Sequence, residues 1–189
     1  MTPFSELPQL AQQDDALRQE LLDRGELFSG YHPEMEALHI ANGTKLEALI
    51  DAFGWPREKE YSDAAWLIAQ HAISLPELQK KILLLLKNDP SLCSPKQAAM
   101  LEDRILVLSG KNQLYGTQMD WDEDGILNPY PVEDPDDVDE RRHKAGLDKL
   151  QDAINQLRKQ AETENENPPE YFRERKKSEE EWRKRVGWI

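Results

Sequence analysis

Residues 62–73 would form a helix with almost no polar face, because Ala64, Ala65, Trp66, Leu67, Ile68, Ala69, Ala72 and Ile73 crowd it on every side. A helix that is apolar all round has no place at a surface, so its neighbours must wrap it. The flanking segments can do so. Residues 5–27 carry Leu10, Leu17, Leu21 and Leu22 at helical spacing among Gln, Asp and Arg. Residues 33–53 carry Met35, Leu38, Leu46, Leu49 and Phe53, and Gly54-Trp55-Pro56 closes that helix. Ser74-Leu-Pro-Glu77 reads as a capping box opening a helix to about Lys87. Ser94-Pro95-Lys-Gln97 repeats the device, with Ala98, Leu101, Ile105 and Leu108 as the buried stripe. Short connections favour antiparallel neighbours.

The pattern changes after Lys111. Residues 114–119 and 126–132 look extended and flank Asp122-Glu-Asp-Gly125, which reads as a β-hairpin whose pairing Pro129 and Pro131 limit. Asp134-Pro135 opens a short helix through Arg142, and residues 147–161 continue helical. Asn165-Glu-Asn-Pro-Pro169 is a linker, and Ser178 caps a last helix carrying Trp182. The expected fold is mainly α: a compact antiparallel helical domain over residues 1–162 with a small β-hairpin insertion. Residues 163–189 form a linker and an amphipathic tail helix, a C-terminal helical appendage.

Charge is distributed unevenly. The net charge of the 189 residues is −13, yet ten acidic side chains fall between Asp120 and Glu140, where there is no Lys or Arg. The rest of the chain is close to neutral, which disfavours general nucleic-acid binding. The longest aliphatic run, residues 82–86, is far short of the roughly 20 residues of a membrane span. Neither a signal peptide nor a membrane partner is expected, and the single Cys93 fits a reducing, cytoplasmic compartment. The tail sets Tyr171, Phe172, Trp182 and Trp188 among basic side chains, an aromatic load that favours docking over disorder. It is expected to meet the acidic belt within one molecule or across a homodimer. The belt itself is expected to be dispensable for folding, since like charges repel.

Polar residues in apolar surroundings mark the candidate site. Gln70 and His71 stand in the helix without a solvent face, where an unpartnered amide or imidazole costs about 1–3 kcal/mol. His71 is read as general acid/base or as a core histidine bonded to a backbone carbonyl. His39 and Asn42 pose the same question one helix earlier, where a hydrogen bond fixing helix register is the simpler account. His39, His71 and Asp103 are permissible metal ligands, but no HExxH-type pair occurs, so neither a resident metal nor a cofactor is expected.

The segment Gly110-Lys111-Asn-Gln113-Leu-Tyr115-Gly116-Thr117-Gln118 would, if extended, project Lys111, Gln113, Tyr115 and Thr117 to one side. With Arg104, Arg141 or Arg142 nearby it would hold a phosphate or carboxylate. Asp120-Trp-Asp122-Glu-Asp124-Gly125 copies the first half of a calcium loop but has Pro131 where a bidentate Glu is needed, so a turn is the better account.

These elements together resemble a widespread bacterial family classed as a domain of unknown function. The resemblance rests on Asn42 with Leu46, Gly54-Trp55-Pro56, Ala65-Trp66-Leu67-Ile68-Ala69-Gln70-His71-Ala72, and Leu101-Glu-Asp103-Arg104. It continues through residues 110–118, Arg141-Arg142 and Gly146-Leu147, spanning residues 38–150. It implies a shared site without naming a substrate.

Two functions follow from the residues. One is a small-molecule-binding protein, a hydrolase or transferase on an anionic, phosphate-bearing or nucleotide-like substrate. In it His71 and Tyr115 are catalytic, and Gln70, Arg104, Lys111, Gln113, Thr117, Gln118, Arg141 and Arg142 bind substrate. The other is a non-catalytic interaction protein, of inhibitor or immunity type, whose acidic belt engages a basic protein partner.

Overall fold

The computed structural model describes residues 2–27 and 30–189. Its contacts group into two compact units, residues 1–94 and 95–189, a boundary that hydrophobic periodicity does not mark. Mainly helical structure with one small hairpin is found, as the patterning requires. Among the described residues, no helix is long and apolar enough to cross a membrane.

The first unit contains α1 (Leu7–Asp23), α2 (Pro33–Phe53), α3 (Lys59–His71) and α4 (Pro76–Asn88). Helix α3 is its centre, packing on α1, α2 and α4. It buries Ala64, Ala65, Ile68, Ala69 and Gln70. The helix begins three residues before Ser62, because Ser62 points inward: its Oγ accepts from Trp55 Nε1 and donates to the Leu92 carbonyl, both at 2.9 Å. The expected capping box at 74–77 does not form. Leu75 occupies the N-cap position without a side-chain cap, and Ser74 Oγ donates instead to Glu36 Oε1 at 2.7 Å. Gly43 lets the turn between α3 and α4 lie on α2, since a Cβ there would stand 2.7 Å from Leu75 Cδ1 and 3.0 Å from Ala72 Cβ.

The second unit contains α5 (Pro95–Leu108), β1 (Met119–Trp121), β2 (Leu127–Pro129), α6 (Val138–Lys144), α7 (Leu150–Thr163) and α8 (Phe172–Val186). The strands pair antiparallel, Met119 opposite Pro129 and Trp121 opposite Leu127. Both are shorter than expected, and the first starts later. Leu114, Tyr115 and Thr117 turn their N–H groups onto Asp103 and so leave the ladder. Asp122 closes the hairpin turn, accepting from the backbone of Asp124 and Ile126 and from Asn128 Nδ2 at 2.7–3.0 Å. These bonds make the calcium-like stretch an Asx-type turn.

The tail helix α8 starts at Phe172, six residues before the expected cap at Ser178. It is docked. Asp120, half-buried, pairs with both Arg175 and Lys176 and accepts from the Tyr130 hydroxyl at 2.9 Å. Arg183 donates to the carbonyls of Val107 and Leu108 at 3.3 Å, covering the C-terminal end of α5. Trp188 is buried beyond the helix. The acidic belt is therefore not uniformly dispensable: Asp120 anchors the tail and Asp122 shapes the turn.

Burial raises the Asp120 carboxyl pKa, but the two cations outweigh it and leave the group below its ordinary range. A depressed folded pKa adds stability that is present above the unfolded value of about 3.9 and lost as pH falls through the folded one. Tail docking, followed by tryptophan fluorescence between pH 6 and about pH 2, is expected to weaken below about pH 4. Asp120→Asn should flatten that dependence; an equally steep profile in the variant would assign it to other groups.

Candidate functional site

Two polar clusters stand out among the described residues, one in each unit. In the first unit, α1, α2 and α3 pack against one another and each contributes one member. On α1 the buried positions are Leu7, Leu10, Asp14 and Leu21, so Asp14 falls on the apolar stripe. Its side chain is 2% exposed. Its Oδ2 lies 2.7 Å from Nδ1 of His71, at the end of α3, and 3.1 Å from Nε2 of His39, on α2. Tyr31 places its hydroxyl 2.8 Å from His39 Nδ1 and stacks on that ring. Burial pushes the Asp14 carboxyl up, but the two imidazoles beside it pull it further down, well below the usual carboxylate range. Its other oxygen, Oδ1, is buried and has no hydrogen-bond partner among the described residues.

The three side chains differ in access. His39 is 7% exposed and His71 is 28% exposed, so His71 is the member that a solute reaches. With Nδ1 held by Asp14, Nε2 is the ring nitrogen left for another partner. Gln70, beside it, is buried, and its carbonyl accepts from Gln79 Nε2 at 3.1 Å. The same amide donates to the Ala69 carbonyl at 2.7 Å, so Gln79 closes the last turn of α3 from inside the core. Asn42 donates to the Leu10 carbonyl at 3.3 Å, the register-fixing bond between helices that is the simpler account of it.

In the second unit the cluster centres on Asp103. Its carboxylate accepts from the backbone N–H groups of Leu114, Tyr115 and Thr117 and from the Thr117 hydroxyl, at 2.7–3.2 Å. Burial raises its pKa, with those donors opposing. Gln113 is fully buried: its Nε2 donates to the carbonyls of Gln118 and Tyr130, and its Oε1 accepts from Gln118 N–H. Arg142 is buried too and donates to the carbonyls of Tyr115 and Asp148 at 2.6 and 2.5 Å. Arg141 donates to the Leu114 carbonyl at 2.8 Å. Gly116, at φ +68°, fits where a Cβ would stand 2.6 Å from Leu150 Cδ1.

The expected alternation of residues 111–117 thus gives way to a curled segment. Gln113 and Thr117 turn inward, while Lys111 is exposed. Gln118 donates to Thr117 Oγ1 at 3.2 Å, and Arg104 is half-buried on α5 next to Asp103. A cleft of about 310 Å³ runs beside this segment, lined by Lys111, Tyr130, Lys176 and Arg183 together with Glu179 and Glu180. Of the residues expected to form one pocket, His71 and Gln70 belong to the first unit and the others to the second. Asp14 and Gln79 are absent from the sequence-based candidates, although a carboxylate on the apolar stripe of α1 was a signal for the first.

A mainly helical protein with a buried Asp–His–His cluster in one unit and a carboxylate-centred loop in the other is the class these features define. The chain belongs to DUF6624, a family of unknown function whose pattern matches residues 4–163. Comparison with curated proteins and with solved structures returns no match.

Proposed function

We propose that this protein binds a small anionic molecule, phosphate-bearing or nucleotide-like, and acts on it as a hydrolase or transferase with His71 as the proton-transferring group. The observation that carries the reading is the buried Asp14 carboxylate 2.7 Å from Nδ1 of a partly exposed histidine. A carboxylate so placed fixes the tautomer with Nε2 free and stabilises the imidazolium that forms. In hydrolysis of a phosphate ester, Nε2 takes a proton from water as the water oxygen bonds to phosphorus. The ester P–O bond breaks, and the proton passes to the departing oxygen. In the second unit, the cleft sets Lys111, Lys176 and Arg183 beside Glu179 and Glu180, with Lys176 paired to Asp120 and Glu179, so it is a separate surface of mixed charge. Tyr115 and the remaining polar residues of that unit shape the loop beside it.

Positioned acid/base groups contribute about 10²–10⁴-fold. His71→Ala is therefore expected to lower turnover of p-nitrophenyl phosphate or of a nucleoside monophosphate by at least about 100-fold, with unchanged far-UV circular dichroism. Turnover equal in wild type and His71→Ala would remove the histidine from the reaction.

A second reading has its own observation. Glu133, Asp134, Asp136 and Asp137 are exposed and make no ion pair among the described residues. This part of the belt remains available to a basic protein partner, which binding assays at low and high salt would reveal.

A further inference from the structure

We infer that Asp14, His39 and His71 hold a divalent transition-metal ion, of which zinc is the probe to use. The inference rests on the reading of this cluster as the reactive centre, and it passes the activation of water from the imidazole to the ion. Three ligand atoms, one from each side chain, all lie within 4.8 Å of one another. Asp14 Oδ2 is 2.7 Å from His71 Nδ1 and 3.1 Å from His39 Nε2. Tetrahedral zinc with bonds near 2.0–2.1 Å sets its ligand atoms about 3.3 Å apart, so the two contacts to Asp14 need to open by only about half an ångström or less, and the two imidazole nitrogens lie within 4.8 Å.

Three further observations favour an ion over a hydrogen-bonded core network. Among the described residues, Asp14 Oδ1 is buried with no partner, and His39 Nε2, for all its proximity to Asp14, makes no hydrogen bond of acceptable geometry. The Tyr31 hydroxyl stands 2.8 Å from His39 Nδ1. In the tautomer with the proton on Nδ1, this hydroxyl accepts it and the Nε2 lone pair faces inward, as with outer partners of metal-bound histidines. Finally, His71 is partly exposed while the other two members are nearly buried, so an ion at the cluster would lie near solvent, as catalytic rather than structural zinc does. Two imidazoles with one carboxylate select zinc, iron or their neighbours over calcium and magnesium. Loading requires the tautomer with Nδ1 unprotonated, so the proton that His71 Nδ1 shares with Asp14 moves to Nε2 of the same ring.

The test uses the full chain, stripped with chelator and dialysed against zinc alone, with cobalt as a spectroscopic substitute. One ion per chain is expected, and cobalt should show the intense visible bands of a low-coordinate nitrogen-ligated site. Tyr31→Phe, which removes no ligand atom, should weaken zinc binding about tenfold; Asp14→Asn and His39→Ala should weaken it at least about 100-fold. Absence of stoichiometric zinc overturns the inference. So does an ion that is kept by Asp14→Asn and lost when Asp120, Asp122 and Asp124 are changed to Asn. Should Asp14→Asn fail to fold, the cobalt spectrum of the wild type decides, and a pale octahedral spectrum goes against the site. Phosphate-ester turnover that persists in a protein without bound metal would remove the ion and leave the proton-transfer reading. Tight zinc binding without turnover would do the reverse.

Discussion

Asp103→Ala should destabilise the second unit by about 3–5 kcal/mol, the range for removing one partner of a buried charged network. The carboxylate satisfies three backbone N–H groups and one hydroxyl. Each buried donor left unmet costs about 1–3 kcal/mol, so the several donors reach the same range even when water recovers part of the loss. Arg142, buried and held largely by carbonyls, would also lose a nearby negative charge. Asp103→Asn keeps one acceptor oxygen but turns an NH₂ group toward other donors, and should lose about half as much. Hydrogen exchange localises the effect: the amides of Leu114, Tyr115 and Thr117 are expected to exchange fast in the alanine variant. A stability loss under about 1 kcal/mol would show that the loop is held by its other contacts.

Truncation after Asn165 is the second large effect. It removes the buried Trp188, whose burial is worth about 1.5–3 kcal/mol. It also leaves Asp120 without its two cations and uncovers the carbonyls that Arg183 caps. The combined loss is expected to be about 3–5 kcal/mol, which at 4–8 °C per kcal/mol lowers the melting temperature of this unit by more than about 10 °C. Sedimentation of the full and truncated chains tests self-association through the tail in the same experiment. Equal melting temperatures would mean that α8 adds nothing to the unit that carries it.

The helices were legible because their stripes depend on local periodicity alone. Leu7, Leu10 and Leu21, or Ala64 with Ile68, announce a face whatever they pack against. Cap chemistry was less legible. Ser62, Ser74 and Asp122 each have the residue type of a local cap or ligand, but their partners are set by distant segments or by the turn itself. The sequence pattern predicts the hairpin but starts its first strand too early, because nothing local in residues 114–117 tells of a carboxylate on α5. His71 was visible as a polar group in an apolar helix. Its partner Asp14 was hidden beside Asp15 in a Gln- and Asp-rich stretch, where acidic residues normally face water. The tail's need to dock was readable from its aromatics, and its target from the position of the only cation-free acidic segment.

The loop of residues 114–117 resembles, in its converging amides, the cradles that bind phosphate at glycine-rich turns. Here the occupant is built in. Asp103 is an anion tethered to the preceding helix, and its effective concentration at the amides far exceeds that of a free solute. A glycine-flanked segment that looks like a receptor for anions has therefore been filled by the chain's own carboxylate. An incoming phosphate must find its donors among the side chains outside the loop, not in the backbone within it.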